Sequence, residues 1–479
     1  MIGRVEEKKY LQSLVNEGES QFVAVFGRRR VGKTYLVRES FDYKFTFQHT
    51  GLSNDDIKAK DRKSAQLDKF TESLEAAGYF AEKKPTSWAE AFTGLKSIIE
   101  KSKEKKKVIF IDELSWMDTK SSGLISALES FWNGWVTSRK EKDVVLIVCA
   151  SATYWMMDNI VNSKGGLHNR LTGQIHLKPF TLRECEEYLK ERRILFSRHQ
   201  ILQCYMILGG VPYYWSLLKK GKSLPQNIDS LFFEEGAPLR SEYNNLYRAL
   251  FNKPEEYIKI IEALSSVNMG ISRDDICKKT RLASSGSLTR KLEELENCDF
   301  IRKYVPFGYK TKNALYQLID NYTLFYQRFV KNNAHVEKYW TERANSPEVR
   351  AWSGVAFERV CLEHTMQIKS ALGIAGVQTE VSTWRCEADS EKGVQGSQID
   401  LVISRKDQVI NICEMKYSET DFAPDSAFDK AMRRKIEDFQ KVTGTKFAIH
   451  ATLITTYDAV ENPYTGNLQS IVTGEELFV

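Results

Sequence analysis

Apolar positions along this chain change their period several times. In the first stretch, short and almost unbroken apolar runs at Phe22–Phe26, Val108–Ile111 and Val144–Ala150, with a shorter one at Gln174–Leu177, are separated by long polar segments. Apolar runs this short, rich in Val and Ile, are expected of strands buried on both faces, as in the parallel sheet of an α/β protein. After Thr181 the period changes: Leu, Tyr and Phe recur at helical spacing and the strand signal disappears. From Pro254, EEYIKIIEALSSV reads as an amphipathic helix, and Ile271–Ile276 begins a second helix with Ser272 as its N-cap. LASSGSLTRKLEELENCDFI then supplies a turn, a third helix and the start of a strand, followed by a short hairpin near Arg302–Lys312. The aromatic-rich Asp320–Val330 reads as a buried packing helix. Beyond the polar Asn332–Glu348 stretch, GVAFERVCLEHTMQIKSALG reads as one amphipathic helix. SQIDLVISRKDQVINICEMKY then reads as a hairpin of the strands Ile399–Ser404 and Val409–Lys416.

These shifts divide the 479 residues, too many for one core, at 1–180, 181–253, 254–320, 321–348 and 349–479. Helix, helix–turn–helix and hairpin in 254–320 outline a winged helix. Its third helix carries Arg290 and Lys291, and the hairpin tip carries Lys310 and Lys312. A helix in a DNA groove with a basic wing on the phosphates is one reading. Glu293, Glu294 and Glu296 crowd the same helix, and a protein-contact module is the other.

Composition narrows the classes without choosing among them. A net charge of +6 over so long a chain is mild, so any nucleic-acid contact has to come from local clusters. The longest nearly apolar run, Val144–Met157, ends at Asp158 and is too short to span a bilayer. The start, MIGRVEEKKYL, has no apolar segment of a secretion signal. Eight scattered cysteines form no C-x-x-C pair, which disfavours disulfides and structural zinc. A reduced, cytoplasmic protein without membrane attachment is expected.

The first chemistry follows the first apolar run. Gly27-Arg28-Arg29-Arg30-Val31-Gly32-Lys33-Thr34, with Tyr35 opening a helix-compatible stretch, is G-x-x-x-x-G-K-T between a strand and a helix. Backbone N–H groups of such a loop wrap phosphates, and the helix N-terminus adds a favourable dipole. Lys33 is then expected on the β- and γ-phosphates of ATP, and Thr34 on Mg²⁺. The run Val108–Ile111 ends in Asp112-Glu113: Asp112 suits the Mg²⁺ shell and Glu113 suits polarising the attacking water. Ser151, at the end of Val144–Ala150, is the candidate sensor of the γ-phosphate, against a plain capping serine. Arg170 is the candidate for stabilising transition-state charge, from its own subunit or a neighbour, against a solvated arginine.

As a set, these stretches resemble a known group. Ile2-Gly3-Arg4 with Glu6 or Glu7 and Leu11 looks like the adenine-side entry motif of AAA+ and STAND-type NTPases. FGRRRVGKT, FIDELSWMD and CASATYWM resemble the archaeal-type ATPase family within that group, and the likeness runs on through Leu208–Trp215 (LGGVPYYW), about half the chain. The resemblance implies a P-loop parallel sheet of order 5-1-4-3-2 with a helical lid. It also implies a lid Gly-x-Pro element that packs on the nucleotide and singles out Pro212.

The last domain carries a second constellation. Asp400 begins one strand, while Glu414 and Lys416 lie near the end of the next and share a face because side chains alternate. Carboxylates that hold Mg²⁺ beside a lysine that activates water are what metal-dependent phosphodiester cleavage requires. Helix Glu358, Asp400, Glu414 and Lys416, in that order, resemble the PD-(D/E)XK nuclease superfamily, with Ile399 where a proline commonly stands. The resemblance implies a restriction-endonuclease-like α/β domain, with Glu358, Asp400 and Glu414 as metal ligands. Lys435 and Gln440 on the following basic helix are further candidates. The expected protein is an ATPase coupled to a DNA endonuclease, with a homo-oligomer or a partner protein as its assembly. The alternative is a nucleotide-dependent signalling or DNA-binding switch with a silent nuclease fold.

Overall fold

Unbroken runs of β-branched residues hide best between two layers of helix, and the first unit is built that way. The computed structural model describes residues 2–53, 57–163, 165–251, 253–391 and 393–479. Two compact units emerge: 1–179 with 246–254 and 290–299, and 180–245 with 255–289 and 300–479.

In the first unit, β1 (Gln21–Phe26), β2 (Phe47–Thr50), β3 (Lys107–Asp112), β4 (Val144–Ala150) and β5 (Gly173–His176) form a parallel sheet of order β2-β3-β4-β1-β5. This is the order 5-1-4-3-2 that the resemblance implied. Every residue of β1 and β4 is buried. Their alternating side chains feed two cores: Phe22, Ala24, Leu146 and Val148 on one face, Val23, Val25, Val145 and Ile147 on the other. The first face is covered by the helices Arg62–Ala76 and Trp88–Lys101 through Phe70, Trp88 and Phe92. Leu36 and Val37 of the helix Lys33–Ser40 cover the second. Strand β2 escapes the apolar-run reading because only Phe47 and His49 of its four residues are buried.

The second unit starts as helices and contains two sheets. β6 (Ile271–Ser272), β7 (Ile301–Tyr304) and β8 (Leu315–Leu318) pair antiparallel in the order β6-β8-β7. Ser272 caps the helix Arg273–Thr280, accepting the Asp275 N–H at 3.1 Å. The β7–β8 hairpin reaches the last domain: the Phe307 N–H donates to Thr383 O at 2.7 Å, and its ring lies 5.1 Å from Phe439. The connector 321–348, expected to be helical, contains the helix Tyr339–Arg343 in its polar stretch Asn332–Glu348, with Tyr339 and Trp340 buried. Asp229 accepts the N–H groups of Trp340 and Thr341 at 2.8 and 3.0 Å. Phe325 and Phe329 meet Trp340 edge-on at 4.9 and 5.2 Å, as a packing role for Asp320–Val330 requires.

The C-terminal sheet comprises β9 (Thr379–Cys386), β10 (Ser397–Arg405), β11 (Val409–Lys416), β12 (Ala448–Thr455) and β13 (Ser470–Thr473), in the order β13-β12-β11-β10-β9. The first three form an antiparallel meander, and the last two run parallel to β11. The helix Ser426–Thr443 connects β11 to β12, and the helix Pro347–Glu363 precedes the sheet. The single amphipathic helix expected here is two, because the first ends at Glu363 and Thr365–Ala371 follows. Buried His364 stands at the break, where its Nδ1 lies 2.8 Å from Val360 O and its Nε2 accepts the Leu182 N–H at 3.1 Å. Burial lowers its pKa to about 4, which keeps it neutral and able to accept. Among the described residues no helix is long and apolar enough to cross a membrane, and all eight cysteines are free.

Candidate functional site

The phosphate loop is shaped by two close approaches. Gly27 has φ 142°, and a Cβ there would lie 2.3 Å from Leu177 O, so only glycine lets β1 pass the end of β5. Gly32, at φ 93°, turns the chain into the helix Lys33–Ser40. Lys33 is buried, and its Nζ donates to Gly27 O at 2.9 Å and Arg28 O at 3.0 Å, drawing the loop into a closed cradle. Burial lowers the Lys33 pKa, opposed by Glu113, Cys149 and Asp112. Arg28 is buried, Arg29 and Arg30 are half-buried, Val31 packs into the core and Tyr35 is exposed.

Across the sheet, Thr34 Oγ1 donates to Asp112 Oδ2 at 2.6 Å. Burial raises the Asp112 pKa against the pull of that hydrogen bond. Glu113, at φ 49°, accepts from Ser151 twice: from its N–H at 3.1 Å and from its Oγ at 2.5 Å. The ends of β1, β3 and β4 thus bring Lys33, Thr34, Asp112, Glu113 and Ser151 together. Ser151 was expected as a phosphate sensor; here its hydroxyl holds the Glu113 carboxylate. A hydroxyl beside a carboxylate is a hard-oxygen pair that fits Mg²⁺, with Thr34 and Asp112 as holders. The Arg4 guanidinium donates to Lys178 O at 2.6 Å.

Arg170 is exposed in the loop before β5. Pro212, in the second unit, opens the short helix Pro212–Ser216 after Gly209 and Gly210; a Cβ on Gly210 would lie 1.9 Å from Phe180 O. The basic helix Gly286–Asn297 keeps Arg290 exposed. Arg290 pairs with Glu294 at 3.0 Å and lies over the Tyr154 ring at 5.1 Å, inside the first unit. Asp299 just beyond pairs with Lys178 at 2.5 Å. Lys310 and Lys312 remain exposed.

In the second unit, the β-strand period places Glu414 and Lys416 side by side, 2.8 Å apart. Lys435 of the helix Ser426–Thr443 reaches the other Glu414 oxygen at 2.5 Å, while Gln440 is exposed. Burial opposes ionisation of Glu414, but Lys435 and Lys416 overcome it and hold its pKa low. Glu358 is the reverse case: burial first, then the charges of Asp400 and Glu414, raise it to about 7. Glu358 and Asp400 line one small cavity. Asp400 also borders a larger one of about 460 Å³, lined with Arg385, Arg434 and Lys435. Among the described residues no three acidic, histidine or cysteine side chains gather as a ready metal cage. Mg²⁺ characteristically uses one or two carboxylates plus waters and substrate oxygens, so the Glu358–Asp400 pair fits it. Lys435 is the residue that spacing along one strand does not place, since only the packing of the helix on the sheet brings it to Glu414.

Residues 1–218 match the model of a family described as an ATPase domain predominantly from Archaea. An uncharacterized protein of Methanocaldococcus jannaschii is 23% identical over 425 residues, covering 87% of this chain and 88% of its own. Among solved structures, the Walker-type ATPase of Pyrococcus abyssi is 15% identical, with a TM-score of 0.49 over 69% of this chain and 96% of its own. The ORC2 protein of Aeropyrum pernix is 13% identical, with a TM-score of 0.41 over 72% of this chain and 96% of its own. The family match and the phosphate-loop geometry coincide on the same residues. Residues 1–218 are thus similar to an ATPase domain, and the P-loop lies within them.

Proposed function

We propose that this ATPase domain controls a Mg²⁺-dependent DNA endonuclease formed by the last domain of the chain. The observation that carries the second half is the charge arrangement around β11. Glu414 bears lysines on both carboxylate oxygens, beside Glu358 and Asp400, and Asp400 lines a cleft that Lys435 shares with two further cations, Arg385 and Arg434. Buried ions at strand ends are costly unless they bind something or one another. The order helix, three-stranded meander, helix, parallel strand supports the nuclease-like reading.

In the ATPase half, Lys33 and the loop N–H groups bind the phosphates, Thr34 and Asp112 hold Mg²⁺, and Glu113 orients the attacking water. Ser151 keeps Glu113 in place. Arg170 is assigned to transition-state charge, in its own subunit or a neighbour's. In the nuclease half, Glu358 and Asp400 are the carboxylates for Mg²⁺, with Glu414 available to it once freed from its lysines, and the ion would supply charge stabilisation at the scissile phosphate when bound. Lys416 orients the water, and Arg385, Arg434 and Lys435 receive the DNA backbone, since phosphate contacts dominate such affinity.

The test incubates linear, circular and single-stranded DNA with the protein, Mg²⁺ or Mn²⁺, with and without ATP, beside Lys33→Ala and Lys416→Ala. Cleavage that disappears in Lys416→Ala, and responds to ATP only when Lys33 is present, is the expected result. A second reading, an ATP-dependent switch with a silent nuclease fold, is favoured by the two lysines that already occupy Glu414. ATP turnover and salt-dependent DNA binding without cleavage under any condition would select it.

A further inference from the structure

The β7–β8 hairpin lies outside the meander that carries the carboxylates, yet it sends a cation to them. Arg302 of β7 is half-buried, and its guanidinium is fixed on two sides. Nε donates to Gln317 Oε1 at 2.8 Å, and Gln317 is itself anchored by donating to Asn268 O at 2.8 Å. The guanidinium lies over the Tyr304 ring at 4.6 Å. Among the described residues, Gln317 is the only hydrogen-bond acceptor for the Arg302 side chain.

Arg302 lines the small cavity of about 30 Å³ together with Glu358, Arg359, Gln398 and Asp400. Arg359, one residue along from Glu358, is 4% exposed, and its Nε is buried with no hydrogen-bond partner among the described residues. Two desolvated guanidiniums therefore meet at the carboxylate pair. Among the described residues, neither guanidinium has a carboxylate within hydrogen-bond or ion-pair distance, and Arg302 is held by Gln317 instead. A buried cation without full compensation is a standing cost unless an anion completes the set.

The cavity admits a single water-sized group, which is also the size of one non-bridging phosphate oxygen. It shares Gln398 and Asp400 with the 460 Å³ cleft that bears Arg385, Arg434 and Lys435. A sugar–phosphate chain lying in that cleft brings one phosphate oxygen to the mouth of the small cavity. Planar guanidiniums held in place suit such an oxygen better than a mobile lysine does.

We propose that Arg302, with Arg359, forms a phosphate seat beside Glu358 and Asp400, so that the β7–β8 hairpin supplies a binding residue for DNA in the cleft. This rests on the reading that the cleft receives DNA. It does not need the cleft to cut.

The experiment measures binding of a labelled DNA duplex to the full chain in Ca²⁺ across a salt series, for wild type, Arg302→Gln and Arg302→Lys. The seat predicts roughly tenfold or greater weakening in Arg302→Gln and a salt dependence shallower by about 0.9 in slope, the value of one lost phosphate contact. Arg302→Lys regains the slope and part of the affinity. Unchanged ATP turnover and unfolding temperature certify that each variant is folded. Should Arg302→Gln fail that check, Arg302→Lys alone decides, through the weaker affinity at unchanged slope that a lost bidentate contact gives. Equal affinity and equal slope in a folded variant overturn the proposal, whether or not wild type cleaves. Weakened binding in Arg302→Gln, combined with no cleavage by wild type in Mg²⁺, keeps the seat and removes the endonuclease. Wild-type DNA binding too weak to detect removes both.

Discussion

Glu358→Gln separates a carboxylate kept for function from one that merely packs. Burial and the negative charges of Asp400 and Glu414 raise the Glu358 pKa from 4.5 to about 7. At about 1.4 kcal/mol for each pH unit between those values, ionising it takes roughly 3 kcal/mol from the folded state. The sign follows from proton counting. Between about pH 4.5 and 7 the folded protein retains a proton that the unfolded chain has released. The stabilisation is therefore complete below the unfolded value and is lost as pH rises through the folded one. Glutamine keeps the size and polarity of the side chain without the charge. The variant is then expected to be more stable than wild type by up to about 3 kcal/mol near pH 8.5, and to show little difference near pH 4.5. Hydrogen exchange of the peptide covering Pro347–Glu363, in EDTA, reads this locally, which matters because a chain of two units need not unfold in one step. An advantage of the same size at both pH values, or none at pH 8.5, would refute the reasoning.

Other perturbations test other links. Ser151→Ala removes the 2.5 Å hydrogen bond to Glu113, so the kcat for ATP is expected to fall on the order of tenfold with KM preserved; a raised KM with normal kcat would mean that Ser151 binds nucleotide instead. Gly27→Ala has to place a Cβ 2.3 Å from Leu177 O at φ 142°, and at least about 2 kcal/mol of stability and most nucleotide-analogue binding should be lost, whereas Gly32→Ala meets no neighbour and should cost only about 1–2 kcal/mol. His364, lowered from 6.5 to about 4, contributes stability that is present above pH 6.5 and lost as pH falls toward 4, the opposite sign to Glu358. His364→Gln should flatten the acid side of the unfolding profile, and an unchanged profile would show that the bond from the Leu182 N–H does not depend on a neutral ring.

Much of the first unit was legible in the chain. A buried strand in a parallel sheet has to be apolar on both faces, so β1, β3 and β4 announce themselves as runs, and glycines at close backbone approaches mark the phosphate loop. β2 was not legible, because half its residues face outward, and neither were β9, β12 and β13, whose polar positions break any run. In the C-terminal sheet, the two-residue period was enough to put Glu414 beside Lys416. Nothing in that period could bring Lys435 to the second oxygen of Glu414, or Arg302 to the cavity of Glu358 and Asp400. Those meetings depend on how a helix and a hairpin pack against the sheet. The same holds for Ser151 and Glu113, which are neighbours only because β3 and β4 are adjacent in the sheet. Residue types and local spacing are set by short-range sterics and hydrogen bonding, and the sequence alone determined these. Which charges face one another, and at what desolvation cost, depends on contacts between residues far apart in the chain, and that was decided by the tertiary structure.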